Sequence, residues 1–291
     1  MREITKSLLK FLAGFIVVLL VSAVLAPWLY TFLPFKFDRI LRRLIMVGTL
    51  LLVAGLVRSR RSRLKELGLA WKENQGAISF GRGFLLGVGL VAVLTLIQWQ
   101  LGARFWKLAE KDIWHWIGFY FKAFGAGALI GVIEEFFFRG FLFLMLKDLW
   151  NRPASLVVTN FIYALVHFFP KTHTFVGPQP VIEDSFRILI GAVTPSSQAF
   201  LQMLAPMAGL FLFGLILSFL FVRTGSLYAS IGTHAGAIFG LKMNRRFFPE
   251  ISDKMGIWSG TKNLYDGIAG LVFLALVTLV MGTLVRRRTA E

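Results

Sequence analysis

The amino-acid sequence predicts an all-α, polytopic integral membrane protein with about eight transmembrane helices around a polar central cavity. Composition is the first observation: 56% of the 291 residues are hydrophobic, only 16% are charged, and several uncharged stretches reach membrane-spanning length. The second is that basic residues cluster at the ends of these stretches, where lipid headgroups anchor them. The third is that a few ionisable residues lie inside apolar stretches. Such residues are costly in a bilayer, so we expect them to face a polar interior and to act there.

The charge and cysteine counts exclude several classes of function. The balance of 32 Lys and Arg against 15 Asp and Glu gives a net charge of +17, which in a soluble protein would suggest nucleic-acid binding. Because these basic residues flank apolar stretches, we expect a lipid bilayer as a partner and no nucleic acid. The absence of cysteine excludes disulfides, thiolate metal sites and a cysteine nucleophile.

The first apolar stretch is predicted to be a retained span. Arg2, Lys6 and Lys10 precede it, as in a signal peptide, but Phe11–Leu33 is too long for the hydrophobic region of a signal peptide and lacks a clean cleavage site. The predicted spans are Phe11–Leu33, Ile40–Val57, Gly83–Ala103, Ala123–Leu146, Ala154–Phe169, Ala199–Val222, Ser226–Leu241 and Gly267–Val285. Together they form a single membrane domain, residues 1–291.

Three connecting segments complete this topology. The densest basic segment, residues 58–72, is predicted to be cytoplasmic, which places both termini in the cytoplasm. The apolar run from Ile113 to Leu149 would be about 55 Å long as one helix, too long for one span. We therefore expect an interfacial aromatic helix, Ile113–Phe121, before the span. Lys171–Gln198, which contains three prolines, is predicted to be irregular and to act as a lid or an entrance.

One of the predicted spans carries two adjacent carboxylates and an arginine. Glu135 and Arg139 are four residues apart, so they can pair on one face of a helix. Glu134 points about 100° away from Glu135 and has no local partner. We expect one carboxylate to be neutralised and the other to be free for chemistry. Gly127 and Gly131 lie on the stripe below Glu134, where another helix backbone can approach.

Two other spans contain polar side chains that catalysis commonly uses. Asn160, Tyr163 and His167 share one helical stripe, and His234 lies in a separate span. A carboxylate and two imidazoles from separate helices could activate a water molecule for attack on a carbonyl, and could polarise that carbonyl. Glu134, His167 and His234 could also ligate zinc.

At these residues the sequence resembles the type II CAAX prenyl endopeptidases and their prokaryotic relatives, the CAAX protease and bacteriocin-processing (Abi) family. The first family motif, Glu-Glu-x-x-x-Arg, is matched by Glu134, Glu135 and Arg139. The second motif, an aromatic residue four positions before a histidine, is matched by Tyr163 and His167.

The third family motif is only partly matched. His234 follows a Gly-Ser-Leu turn, as in the family, but Ile238 stands where the family has Asn or Asp. All three motifs occur in order, each in its own apolar segment, within a CAAX-protease-like core of residues 123–241.

The resemblance implies an intramembrane or membrane-proximal endopeptidase that hydrolyses a peptide bond with glutamate-activated water. Glu134 would be the general base, with help from His167. His234 would help to bind the tetrahedral oxyanion, and Glu135 and Arg139 would position the site.

The resemblance also implies supporting roles and a setting. Tyr163 and Asn160 would support the site, and Asn160 is a candidate replacement for the oxyanion donor that Ile238 lacks. No cofactor is required in the best-understood members. The alternative is a zinc ion bound by Glu134, His167 and His234, which we call the Glu134 cluster. The expected substrate is a membrane-associated peptide or protein, and the expected location is the inner membrane of a prokaryotic cell.

Two functions of other classes stay open at this point. Because Ile238 removes an oxyanion donor, the protein could be a catalytically weak or inactive relative that binds peptides or partner proteins, as in bacteriocin immunity. Alternatively, Glu134 could relay protons in an ion-coupled transporter.

Several individual residues also have simpler interpretations. Glu135 and Arg139 could form a purely structural ion pair. Ser230 and His234 are four residues apart, which suggests a serine protease, but the Gly-x-Ser-x-Gly pattern of rhomboid proteases is absent. His115 and the more distant His173 are interpreted as bystanders near helix boundaries or in loops.

Overall fold

The described part of the chain folds into helices, as the sequence predicts. The computed structural model describes residues 2–58, 75–108, 112–167, 176–194, 197–251, 254–261 and 263–290. Its helices are α1 (Arg2–Tyr30), α2 (Phe37–Arg58), α3 (Gln75–Gln100), α4 (Ile113–Glu135), α5 (Leu144–Leu149), α6 (Arg152–His167), α7 (Ile182–Val193), α8 (Ser197–Thr224), α9 (Leu227–Phe247) and α10 (Ile268–Ala290). A π-helical segment, Phe136–Phe143, joins α4 to α5.

Several of these helices suit a lipid environment. Among the described residues, four stretches are long and apolar enough to cross a membrane: Leu8–Tyr30, Gln75–Gln100, Phe200–Thr224 and Ile268–Val285. Large apolar side chains on their surfaces remain exposed, including Leu85 at 71% and Leu279 at 66%, and lipid tails would cover such side chains. The protein is therefore a membrane protein, while the count of eight spans stays a prediction.

The helix that carries Glu134 and Glu135, called the Glu-Glu pair below, differs from the predicted one. The apolar pattern predicts a break near residue 122, between an interfacial helix and a span, but α4 continues without interruption from Ile113 to Glu135. No proline interrupts this stretch, and its N-terminus is capped by Asp112, whose side chain accepts a hydrogen bond from the backbone N–H of His115. That hydrogen bond lowers the pKa of Asp112, so the cap stays charged at neutral pH.

Two other predicted boundaries are also wrong. α3 begins at Gln75, eight residues before the predicted span, and ends ahead of Gly102, whose φ of +69° favours glycine. The segment predicted to be irregular contains α7 and the start of α8. α7 forms because the Asp184 side chain accepts the Val181 N–H at 3.0 Å and because Ile188 is buried against α1 and α2. Residues 168–175 and 195–196 of that segment, and with them His173, lie outside the described residues.

Glycines allow α9 to pack directly against α3 and α4. A methyl group at Gly127 of α4 would lie 2.6 Å from the carbonyl oxygen of Ala235, and one at Gly131 would lie 3.0 Å from that of Ile231. On α3, a methyl group at Gly87 would overlap the carbonyl oxygen of Thr233. These close approaches hold α9, which carries His234, against the helix that carries the Glu-Glu pair.

We expect Gly87→Ala to destabilise the protein by about 1–3 kcal/mol, because the added methyl group forces α3 away from α9. The matched control is Gly89→Ala on the same helix, where no described residue outside that turn of the helix comes within 4 Å of the new methyl group. That control should be neutral or stabilising by up to about 1 kcal/mol, since alanine favours helix. Thermal unfolding in detergent micelles compares the two variants, and equal midpoints would contradict the close approach.

Candidate active site

The Glu-Glu pair lies where α4 passes into the π-helical segment. Glu134 and Glu135 are the last residues of α4, and Arg139 lies within the π-helical segment. π-helical turns occur frequently at functional sites. Nη1 of Arg139 donates to Oε1 of Glu135 at 2.8 Å, and both side chains are fully buried. The pairing that the four-residue spacing predicts is confirmed.

Arg139 is surrounded by hydrogen-bond acceptors from two further helices. Nη2 donates to Oδ1 of Asn160 at 3.0 Å and to the carbonyl oxygen of Gly214 at 2.8 Å, and Nε donates to Oγ of Ser218 at 3.3 Å. The Tyr163 ring centre lies 4.7 Å from the guanidinium carbon. This set of partners compensates for burying the guanidinium, which without them would be strongly destabilising.

Two histidines approach the second carboxylate. Nε2 of His167 lies 3.3 Å from Oε2 of Glu134, and Nε2 of His234 lies 3.7 Å from the same oxygen. This oxygen is buried and has no hydrogen-bond partner among the described residues. The structure therefore brings together, from α4, α6 and α9, the carboxylate and the two imidazoles that the sequence predicts to converge.

The hydrogen bonds of the two Nδ1 atoms determine where the imidazole protons lie. Nδ1 of His167 is 2.7 Å from the carbonyl oxygen of Tyr163, which can only accept, so this Nδ1 carries a hydrogen. Nδ1 of His234 is 2.8 Å from the Glu135 carboxylate, so it carries a hydrogen as well. In the neutral rings both Nε2 atoms therefore present lone pairs to Glu134. A proton on Nε2 of either ring would let that ring donate to the Glu134 carboxylate.

Solvent exposure divides the site into a closed side and an open side. The side chains of Glu135 and Arg139 are 0% exposed and that of His234 is 5% exposed, whereas Glu134 is 24% and His167 is 29% exposed. On the closed side, hydrogen bonds hold Arg139, Glu135 and His234 in place relative to one another. On the open side, parts of the Glu134 and His167 side chains reach the protein surface.

Comparison with known families gives this site a context. Residues 114–239, which include all three motifs, match the family described as type II CAAX prenyl endopeptidase Rce1-like. Over this segment the chain is similar to the Rce1-like family. The Rce1-like segment covers less than half of the chain. The family is a protease family, so the match supports a protease-like enzyme. No curated protein matches the chain.

Two sequence hypotheses are not supported by the contacts within the Rce1-like segment. Nδ2 of Asn160 donates to the Leu156 carbonyl at 2.8 Å and to Ser218 at 3.0 Å, so its amide protons are already used and it is a poor substitute for the oxyanion donor. The Ser230 hydroxyl donates to the Leu227 carbonyl at 3.0 Å, an interaction within its own helix that leaves it unactivated as a nucleophile.

Sequence reasoning missed Gly214 and Ser218 of α8. Ser218 carries the one hydroxyl in the apolar run from Ala208 to Val222, and it lies four residues after the glycine. The sequence does carry a signal for these two residues. It is a lone hydroxyl one helical turn from a glycine, in a helix apolar enough to lie in lipid.

The residues around Glu134 do not form a ready metal site. Ligand atoms on a tetrahedral zinc ion lie about 3.3 Å apart, and only one of the two measured distances from Glu134 has that value. Within the described residues, no group of three His, Asp or Glu side chains is arranged to hold a metal ion. Zinc bound by Glu134, His167 and His234 stays a prediction.

A cavity of about 660 Å³ lies elsewhere in the protein. Its lining includes Ala205 of α8 together with Glu250, Asp266 and Leu271, and it contains none of the candidate site residues. Since it is mostly apolar and separate from the Glu134 cluster, it does not correspond to the predicted polar central cavity. That cavity stays a prediction.

Proposed function

We propose that the protein is an intramembrane endopeptidase that hydrolyses a peptide bond with a water molecule activated by Glu134. The observation that carries the proposal is the approach of two imidazole Nε2 atoms, from His167 and His234, to one oxygen of Glu134 that accepts no hydrogen bond from the described residues. A carboxylate flanked by two imidazoles can bind a water molecule and accept a proton from it. The similarity of residues 114–239 to a protease family supports the same reaction.

In this proposal Glu134 acts as the general base. Its carboxylate takes one proton from water while the water oxygen adds to the carbonyl carbon of the peptide bond. Nε2 of His167, with its Nδ1 hydrogen held by the Tyr163 carbonyl, accepts the second water hydrogen and orients the water. When the carbon–nitrogen bond breaks, the proton on Glu134 passes to the leaving amine. Water and peptide are consumed, and an acid and an amine are formed.

His234 stabilises the oxyanion in its doubly protonated form. Its Nδ1 hydrogen is committed to Glu135, so only a proton on Nε2 allows it to donate to an oxyanion. The buried Glu135 carboxylate, 2.8 Å away, stabilises that imidazolium. A charged donor is stronger than a neutral one, which partly offsets the amide that Ile238 does not supply.

We expect Ile238→Asn to raise kcat by about 10²-fold, because a second oxyanion donor typically contributes that much to the rate. Ile238→Val is the matched control, since it changes volume without adding a donor, and its kcat should stay near the wild-type value. Both are measured on one membrane-anchored peptide in detergent or liposomes. If Ile238→Asn has the wild-type kcat, then His234 alone provides the oxyanion stabilisation that the reaction needs.

The setting of the reaction follows from the apolar helices and the site. We propose a membrane-associated peptide or protein as the substrate and the lipid bilayer as the second partner, with no role for nucleic acid. The proposed location is the inner membrane of a prokaryotic cell with both termini in the cytoplasm. No cofactor enters the proposed reaction.

The experiment that tests the function is cleavage of a membrane-anchored peptide library by the purified full-length protein, with and without a chelator. Cleavage that persists with the chelator supports the metal-free reaction. Loss of cleavage with the chelator and its return with zinc would instead assign zinc to the Glu134 cluster. Proton-driven flux in liposomes without any cleavage would favour the transporter.

One observation favours the weak or inactive relative as a second candidate function. Ile238 presents an apolar side chain at the position of the family amide, and Asn160 is already committed to other partners. A silent wild type that binds library peptides, and that gains cleavage on Ile238→Asn, would establish a protease fold used for binding.

A further inference from the structure

One face of α8 lies against the buried arginine of the site. Gly214 and Ser218 are one helical turn apart on this face, and both contact Arg139. Neither belongs to the three motifs. α8 is one of the helices long and apolar enough to cross a membrane. A serine and a glycine one turn apart are unusual in a helix of that composition.

We propose that Gly214 and Ser218 are positioning residues of the active site, which act on His234 through Arg139 and Glu135. The contacts form a continuous chain: α8 fixes the guanidinium, the guanidinium fixes Oε1 of Glu135 at 2.8 Å, and the same oxygen holds Nδ1 of His234 at 2.8 Å. The kinetic part of this inference rests on the proposed endopeptidase function.

Ser218 satisfies two buried groups with one hydroxyl. Its Oγ accepts from Nε of Arg139 at 3.3 Å and from Nδ2 of Asn160 at 3.0 Å, and the residue is 0% exposed. Removing the hydroxyl leaves the Arg139 Nε–H buried with no partner, which is unfavourable for a charged donor. The guanidinium then shifts to find another acceptor, and the carboxylate bonded to it shifts as well.

Gly214 allows the α8 backbone itself to reach the arginine. A methyl group at this position would lie 2.6 Å from Oδ1 of Asn160 and 3.0 Å from Cδ1 of Tyr163. The Asn160 and Tyr163 side chains both contact Arg139 and are buried, so neither can move aside for the methyl group. Only a residue without a Cβ lets the carbonyl oxygen accept a hydrogen bond from Nη2 at 2.8 Å while Asn160 keeps its place.

The test compares Ser218→Ala with Ser155→Ala in the full-length protein. Ser155 is also 0% exposed, but its hydroxyl donates to the Asn151 carbonyl at the start of α6, away from Arg139. We expect Ser218→Ala to lower kcat by about 10- to 100-fold at nearly constant KM, the rate equivalent of one hydrogen bond to a charged group. Ser155→Ala should keep the wild-type kcat. Ser218→Cys, which fills the space with a weak hydrogen-bond partner, should behave as Ser218→Ala does.

A second readout does not depend on activity. The chain has only 4 histidines, so ring-¹⁵N-histidine NMR resolves the Nδ1–H signals of His167 and His234. Ser218→Ala should shift the His234 signal and leave the His167 signal in place, because the latter reports a bond to the Tyr163 carbonyl. If kcat falls while the His234 signal stays fixed, or if both stay at wild-type values, the positioning chain is wrong. If the wild type cleaves nothing, the proposed function is wrong and the NMR comparison still decides this inference.

Discussion

Glu134→Gln is expected to lower the cleavage rate by about 10²- to 10⁴-fold while leaving the fold and the thermal midpoint nearly unchanged. The amide has the size of the carboxylate but cannot accept a proton from water, so the general base is lost. The side chain of Glu134 is 24% exposed and the amide keeps its volume, so the replacement changes the packing little. The measurement is kcat on a membrane-anchored peptide, with the unfolding midpoint recorded on the same preparation.

Glu183→Gln is the matched control for this change. Glu183 is an exposed carboxylate on α7, outside the Glu134 cluster, so its amide variant carries the same change of charge and should cleave at the wild-type rate. Full cleavage by Glu134→Gln would exclude the proposed base. Equal losses in both variants would indicate that net charge near the membrane surface, and not base catalysis, controls the rate.

The sequence was sufficient to predict the helical class and the grouping of the site residues. Apolar runs define helices because a bilayer leaves the backbone no other way to satisfy its hydrogen bonds in a short segment. The four-residue spacing of Glu135 and Arg139 predicts their ion pair, which the structure contains. The stripe containing Tyr163 and His167 does face the Glu-Glu pair, as amphipathic spacing indicates.

The remaining features depend on contacts between distant parts of the chain. The continuity of α4 could not be predicted from hydropathy, because an apolar run does not show where a helix leaves the bilayer. α7 is stabilised by burial of Ile188 against α1 and α2, which are far away in sequence. The role of Gly214 is visible only once α6 and α8 are packed, since it arises from space that the Asn160 and Tyr163 side chains occupy.

Arg139→Met is expected to destabilise the protein by about 3–5 kcal/mol, the usual cost of leaving one buried charge without its partner. The methionine has similar length and no charge, so it leaves the Glu135 carboxylate in a fully buried position with His234 as its remaining partner. The acceptors on Asn160 and Gly214 lose their donor as well. Unfolding in mixed detergent and dodecyl sulfate micelles measures the loss of stability.

The double variant Glu135→Gln/Arg139→Met separates the structural role of the pair from its role in positioning. Removing both charges abolishes the unpaired carboxylate, so we expect most of the stability lost in Arg139→Met to return, and the double variant to lose much less stability than the two single variants together. Activity should not return, because the amide that replaces the Glu135 carboxylate is neutral and cannot stabilise the His234 imidazolium. Recovery of both stability and cleavage would mean that the pair is purely structural. Recovery of neither would mean that Arg139 stabilises the fold mainly through α6 and α8 and not through Glu135.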